Sequence, residues 1–258
     1  MPSLATESDH SVIFVGFEGE IMKLHGATAL VTGANRGLGH HLAVELIRRG
    51  AKVYATARRP ELVDVPGAHV LRLDITDQWS VEAAAAAADD VDVLINNAAF
   101  TDGGNLVTGD LAKIRATMDS NYYGTLAMIR AFAPILARNG GGAILNVLSV
   151  AAWRTVDGNT SYAAAKSAEW GLTNGVRVEL ARQGTHVAAL VPGLIRTDTL
   201  LEFARGNGIE LPEEHMNEPA DLARMALDGL EAGEVEIIDR MSVDAKAALA
   251  GPPVTLSL

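Results

Sequence analysis

Tyr162 and Lys166 stand four residues apart in the run Tyr162-Ala163-Ala164-Ala165-Lys166, inside a stretch that reads as helix. Residues at i and i+4 share one helix face, so a phenol and an ammonium are presented side by side. Two unit charges about 5 Å apart interact by roughly 3 kcal/mol at an effective dielectric of ~20. The ammonium favours the phenolate, and a phenol so placed can exchange a proton with an alcohol or a carbonyl near neutral pH. A second chemical feature lies nearer the start of the chain. Thr32-Gly33-Ala34-Asn35-Arg36-Gly37-Leu38-Gly39 follows an apolar run and opens a helical pattern. Glycines there permit a tight turn and close backbone approach to a pyrophosphate, and a helix N-terminus adds free N–H groups. The spacing is G-x-x-x-G-x-G, not the commoner G-x-G-x-x-G.

The elements that must position these groups alternate along the chain. Strand-like apolar runs occur at 28–31, 52–56, 69–73, 91–95, 143–148, 187–191 and 235–238. Helical patterns fall between them: Leu38, Leu42, Leu46 and Ile47; the alanine run 83–88; a long stretch from about 111 to 138, ended by Gly140, Gly141 and Gly142; then 161–182, 197–205 and 219–231. Continuous apolar strands alternating with helices predict the α/β class, with one doubly wound parallel sheet covered by helices on both faces. Such sheets bind ligands at the carboxyl ends of their strands. The tail from Gly251 reads as irregular.

Composition narrows the function. The 258 residues suffice for one large domain, here assigned to 22–258, with residues 1–21 as a loosely attached extension. Glu7, Asp9, Glu18 and Glu20 in that extension are unlike a signal peptide, and no run approaches the ~20 apolar residues of a membrane span. A net charge of −11 repels phosphate backbones and argues against nucleic acid. The chain has no cysteine, which excludes disulfides and thiolate chemistry and suits a cytoplasmic location. Its seven histidines, including the pair His40 and His41, lack metal-ligand spacing, so no metal is expected.

Thr32–Gly39, Asn96-Asn97-Ala98-Ala99, Asn121, Ser149, Tyr162, Lys166 and Pro192-Gly193 occur in the order and spacing of the short-chain dehydrogenase/reductase family. The chain resembles that family over roughly residues 24–240. The resemblance implies a Rossmann fold and a nicotinamide cofactor. It implies Tyr162 as general acid and base, Lys166 as the group that lowers its pKa and holds the nicotinamide ribose, and Ser149 as donor to the substrate oxygen. Asn121 is expected to position a water linking Lys166 to solvent. Cofactor contacts are implied for Thr32, Gly33, Asn35, Arg36, Gly37, Leu38 and Gly39, for Asp74 and Ile75 beside the adenine, and for Asn97 and Ala98. Tyr162, Lys166, Pro192, Gly193, Ile195 and Thr197 complete that set on the nicotinamide side. Asp74 and Thr197 also have a plainer reading as caps of the helices that follow them. Ala99 replaces the family's glycine.

In this family an acid at the end of the second strand selects NAD. Ala57 occupies that place, followed by Arg58, and Arg36 lies in the Gly-rich turn. Guanidiniums grip a 2′-phosphate that a carboxylate would repel, which favours NADP(H) over NAD(H). The segment 194–217 is expected to form a substrate lid, made apolar by Leu194, Leu200, Leu201 and Phe203, with Trp153 as a pocket wall. The expected substrate is an apolar carbonyl or alcohol. By resemblance the chain is a homodimer through the helices near 111–138 and 161–182, with a tetramer as the alternative. An epimerase or dehydratase, or a regulator that binds cofactor without turnover, are the competing readings. Both Tyr162 and Lys166 are retained, which argues against the regulator.

Overall fold

The computed structural model describes residues 22–101, 104–155 and 157–251, with the side chains of Phe203 and Asn207 excepted. The proposed extension 1–21 and most of the C-terminal tail lie outside the described residues. Seven parallel strands form the central sheet: β1 (Thr28–Thr32), β2 (Lys52–Ala57), β3 (His69–Arg72), β4 (Val93–Asn96), β5 (Ala143–Val147), β6 (His186–Val191) and β9 (Glu236–Ile238), in the order β3-β2-β1-β4-β5-β6-β9. This is the expected doubly wound Rossmann sheet. Every residue of β1, β4, β5 and β6 is buried, which explains their unbroken apolar sequences.

Alternation along the strands divides the core between two faces. Ala29, Val31, Val53, Ala55, Val93 and Ile95 face α1 (Gly37–Arg48) and α7 (Pro219–Glu231). Leu30, Tyr54, Leu94 and Ile144 face the opposite layer, which contains α2 (Gln78–Ala87), α4 (Thr125–Arg138) and α5 (Thr160–Leu180). Phe132 of α4 is fully buried in that layer. Burying a side chain of this size contributes on the order of 2 kcal/mol. On the first face, Arg49 ties the end of α1 to α7 through Asp228 and Glu231, both at 2.7 Å.

Three departures from the sequence reading bear on the site. The stretch 111–138 is not one uniform helix: α3 (Leu111–Met118) passes through a π-helical segment, Asp119–Gly124, into α4. The segment 194–217 contains a two-stranded parallel ribbon, β7 (Leu194–Ile195) with β8 (Met216–Asn217), flanking α6 (Asp198–Asn207). A further helix, α8 (Arg240–Ala248), follows β9, where no element was expected; Asp239 caps it by accepting from the Ser242 N–H at 2.9 Å. No helix among the described residues is long and apolar enough to cross a membrane.

Candidate active site

The strand order reverses between β1 and β4, whose following helices lie on opposite faces, and this leaves a crevice beyond their carboxyl ends. A cleft of about 2100 Å³ occupies the crevice. Thr32, Gly33, Asn35, Arg36, Gly37, Arg58, Asp74, Ile75, Asn97, Ala98, Tyr162 and Thr197 line it. The other expected site residues do not. Leu38, Gly39, Asn121, Lys166 and Pro192 are buried behind the walls, and Ser149, Gly193 and Ile195 are partly buried beside them.

The Gly-rich turn is held by its neighbours. Gly33 has φ +68°, in the left-handed region that a side chain disfavours. The Asn97 side-chain amide donates to the carbonyls of Thr32 at 2.9 Å and Gly33 at 3.3 Å. The Thr32 hydroxyl accepts from the backbone N–H groups of Asn97 and Ala98, both at 2.9 Å. Gly39 serves the same packing: a Cβ there would collide with the Gly33 carbonyl and the Asn97 amide. Its role is close helix–strand contact rather than a wall of the cleft. Arg36, at the N-cap of α1, makes no side-chain cap, and the first turn carries no acid. The helix thus presents its N–H groups and positive end to the cleft without a built-in anion.

Ala57 ends β2 and is buried, with Arg58 exposed just beyond it. Among the described residues no carboxylate lies within ion-pair distance of Arg36 or Arg58. Asp74 accepts from the Thr76 N–H at 3.0 Å and the Thr76 hydroxyl at 2.7 Å. The cap of α2 is Asp77 instead, which accepts from the Trp79 N–H, so the capping alternative for Asp74 is not what the structure shows. Thr197 does cap α6, accepting from the Leu200 N–H at 3.3 Å, while also lining the cleft.

On the far side, Tyr162 lies in the first turn of α5 with Lys166 one turn further in. The Lys166 Nζ is 5.8 Å from the Tyr162 ring centroid. Lys166 is 2 % exposed and donates to the Val147 carbonyl at 2.9 Å and to Glu169 Oε2 at 2.7 Å. Burial works to lower the lysine, but the charges of Glu169 and Tyr162 outweigh it and hold the ammonium above its ordinary value. Ser149 Oγ accepts from the Ala151 N–H at 3.1 Å, capping a short turn after β5. Asn121 is fully buried in the π segment, and its amide donates to the carbonyls of Phe100 at 2.6 Å and Thr117 at 2.8 Å. The bond to Phe100 holds the helix to the loop after β4. Trp153 is not a wall of this cleft. It packs edge-on against Trp170, centroids 6.1 Å apart, because the turn after Ser149 directs it toward the β9 side of the sheet.

Glu169 was not singled out in the sequence. Its signal was available: an acid three residues after Lys166 shares the face that α5 must bury.

A family model described as short chain dehydrogenase matches residues 27–207. The oxidoreductase UcpA of Salmonella typhimurium is 34% identical over 229 residues, covering 83% of this chain and 87% of the relative. The 3-oxoacyl-[acyl-carrier-protein] reductase FabG of Vibrio cholerae is 31% identical over 216 residues, covering 78% of this chain and 88% of that protein. Among solved structures, a short chain dehydrogenase from Burkholderia cenocepacia in complex with NADP has 37% identity and a TM-score of 0.81, covering 89% of this chain and 95% of its own. With the reversed strand order, the Gly-rich turn and the Tyr-x-x-x-Lys helix on one cleft, these matches lead to one conclusion: the chain belongs to the short-chain dehydrogenase/reductase family of Rossmann-fold, NAD(P)-using oxidoreductases.

Proposed function

We propose that the protein is an NADP(H)-dependent oxidoreductase that interconverts a ketone or aldehyde and a secondary or primary alcohol, with Tyr162 as its acid and base. The observation that carries this reading is the placement of Tyr162 on the same cleft as the Gly-rich turn, with the Lys166 ammonium behind it. The cleft fits the dinucleotide: the α1 N-terminus lacks a side-chain cap, and guanidiniums with no carboxylate partner among the described residues stand where a ribose-binding acid is missing. Arg36 and Arg58 would hold the 2′-phosphate. A hydrogen bond to a charged group is worth roughly 1.5–3 kcal/mol, so the pair favours NADP over NAD by about a hundredfold after allowing for exposure. The backbone of Gly33–Gly37 and the α1 N-terminus would take the pyrophosphate, with Asp74 and Ile75 beside the adenine and Thr197 and Ile195 on the nicotinamide side. When bound, the nicotinamide supplies or accepts the hydride.

The chain's own residues handle the proton. Tyr162 gives it to the carbonyl oxygen in reduction and removes it from the alcohol in oxidation, while Lys166 supports the phenolate. The Ser149 hydroxyl donates to the substrate oxygen and stabilises the charge that develops there. Asn121 keeps the π segment in place so that a water can link Lys166 to solvent. A relative named as a 3-oxoacyl reductase agrees with reduction of a ketone. The segment 194–217 is the lid over the substrate. Its base is secured by the Asn217 amide, which donates to the Leu194 carbonyl and Asp239, and by Arg196 with Glu213 and Glu218. Exposed Leu111, Tyr123 and Val178 support a homodimer through the helices around 111–138 and α5. A cytoplasmic location completes the reading.

Paired fluorescence titrations with NADPH and NADH test it. Tight NADPH and much weaker NADH binding is the expected result. Equal affinities would reverse the cofactor assignment, and binding of neither would remove the hydride carrier.

A further inference from the structure

Lys166 and Glu169 lie three residues apart on the buried face of α5, each side chain 2 % exposed. An ammonium has three N–H donors. Lys166 commits one to Glu169 Oε2 and one to the Val147 carbonyl, which leaves one for the site. The other carboxylate oxygen, Glu169 Oε1, accepts from the Thr125 hydroxyl at 3.1 Å. Thr125 is the first residue after the π segment that carries Asn121. One carboxylate therefore fixes the lysine and joins α5 to the helix holding Asn121. The ionisable groups acting on Lys166 are Glu169 and Tyr162, both from α5. Burial pushes the Glu169 carboxyl above its ordinary range, and the Lys166 ammonium and the Thr125 hydroxyl of α4 pull against it by favouring the carboxylate. A buried ammonium without a counter-ion tends to shed its proton.

We propose that Glu169 is the counter-ion of Lys166, a positioning residue that keeps the lysine ionised and directs its remaining N–H toward the reaction site. This rests on the reading of Tyr162 and Lys166 as the proton-handling pair. Carbonyl reduction then needs both groups protonated. Removing the carboxylate charge lets burial draw the lysine proton off at lower pH. While the lysine stays charged, its field on Tyr162 is no longer offset by Glu169, which favours the phenolate. Both effects move the alkaline limb of the reduction profile to lower pH.

The test compares wild type, Glu169→Gln and Glu169→Asp by NADPH-dependent reduction of a ketone panel from pH 5 to about 11, which reaches past the ordinary phenol and ammonium values. Glu169→Gln is expected to shift the alkaline limb down by about one pH unit or more, with kcat at pH 8 reduced at least ~10-fold and NADPH affinity nearly unchanged. Glu169→Asp keeps the charge and recovers part of the shift. A uniform loss of kcat at every pH, with the limb unmoved, would show a merely structural role and overturn the proposal. A second readout needs no turnover. The chain has five lysines, so NMR of 13C-lysine-labelled protein follows each, with Lys166→Arg assigning the resonance. In wild type Lys166 should stay ionised beyond the ordinary lysine range, and in Glu169→Gln it should titrate below that range. Wild-type Lys166 titrating below the ordinary range overturns the proposal even if the Gln variant does not fold. No turnover with any carbonyl, alongside the expected NMR shift, would count against the reductase reading alone.

Discussion

The two ends of the cleft handle charge in opposite ways. On the β2 side, Arg36 and Arg58 are exposed and carry no carboxylate partner among the described residues. On the α5 side, Lys166 is buried and held by a carboxylate, a carbonyl and, through Glu169, a hydroxyl. An exposed, unpaired guanidinium is suited to an anion that arrives and leaves, because little rearranges when it binds. A buried ammonium with two of its three N–H groups already bonded is suited to a proton that must move the same way in each turnover, because its geometry is set before the substrate arrives. The first arrangement selects a ligand and the second prepares a reaction.

The comparison breaks most readily at Tyr162. Tyr162→Phe should cut turnover by about 10²–10⁴-fold while the NADPH dissociation constant stays within about twofold, measured by steady-state kinetics and fluorescence titration. Retained turnover would remove the chemical role from the α5 end. The β2 end is tested next. Arg36→Ala with Arg58→Ala should weaken NADPH binding about a hundredfold and leave NADH nearly unchanged. Raising the salt concentration should narrow the wild-type preference in the same direction, since exposed charges are screened. Gly39→Ala probes the packing under the turn. The collision with Gly33 and Asn97 should cost about 1–3 kcal/mol of stability, read as a fall in melting temperature together with weaker binding of either nucleotide.

The smallest effect belongs to a paired charge away from the cleft. On α1, the Arg48 guanidinium, aided by Arg49 and opposed by burial, holds the Glu45 carboxyl down at about 2. A carboxyl depressed on folding stabilises the fold fully above its ordinary range near 4.5, and the contribution is lost as pH falls toward 2. Glu45→Gln should therefore cost on the order of 1 kcal/mol at neutral pH, given the exposure of Arg48. The gap from wild type in urea midpoints should close between about pH 4.5 and pH 2. A constant gap would mean that the pair contributes nothing electrostatic.

The sheet was legible because burial on both faces demands unbroken apolar strands, and 28–31, 52–56 and 143–148 have them. The Gly-rich turn was legible because its place between strand and helix limits what it can be. Other features depend on contacts that no local pattern records. The π segment at Asp119–Gly124 left no mark in a run that reads as continuous helix. Trp153 looked like a pocket wall by its nearness to Ser149 in sequence, yet the turn sends it against Trp170. Helix α8 was missed because Ser242 and Asp244 interrupt its apolar pattern; an Asp239 cap and contact with β9 sustain it. Glu169 differs from these, because its spacing of three residues from Lys166 marks it for the buried face of α5.

The π segment also makes chain length a constraint in its own right. An α-helix turns about 100° per residue, and the wider π turn accommodates an additional residue without breaking the helix. Removing one residue from Asp119–Gly124 would let the segment relax to an α-helix and rotate everything on one side by about that angle. Asn121 and Thr125 could not then both face their present partners, Phe100 and Glu169. Evolution along this stretch should therefore be freer to exchange side chains than to gain or lose one: the segment works as a phase setting between two helices.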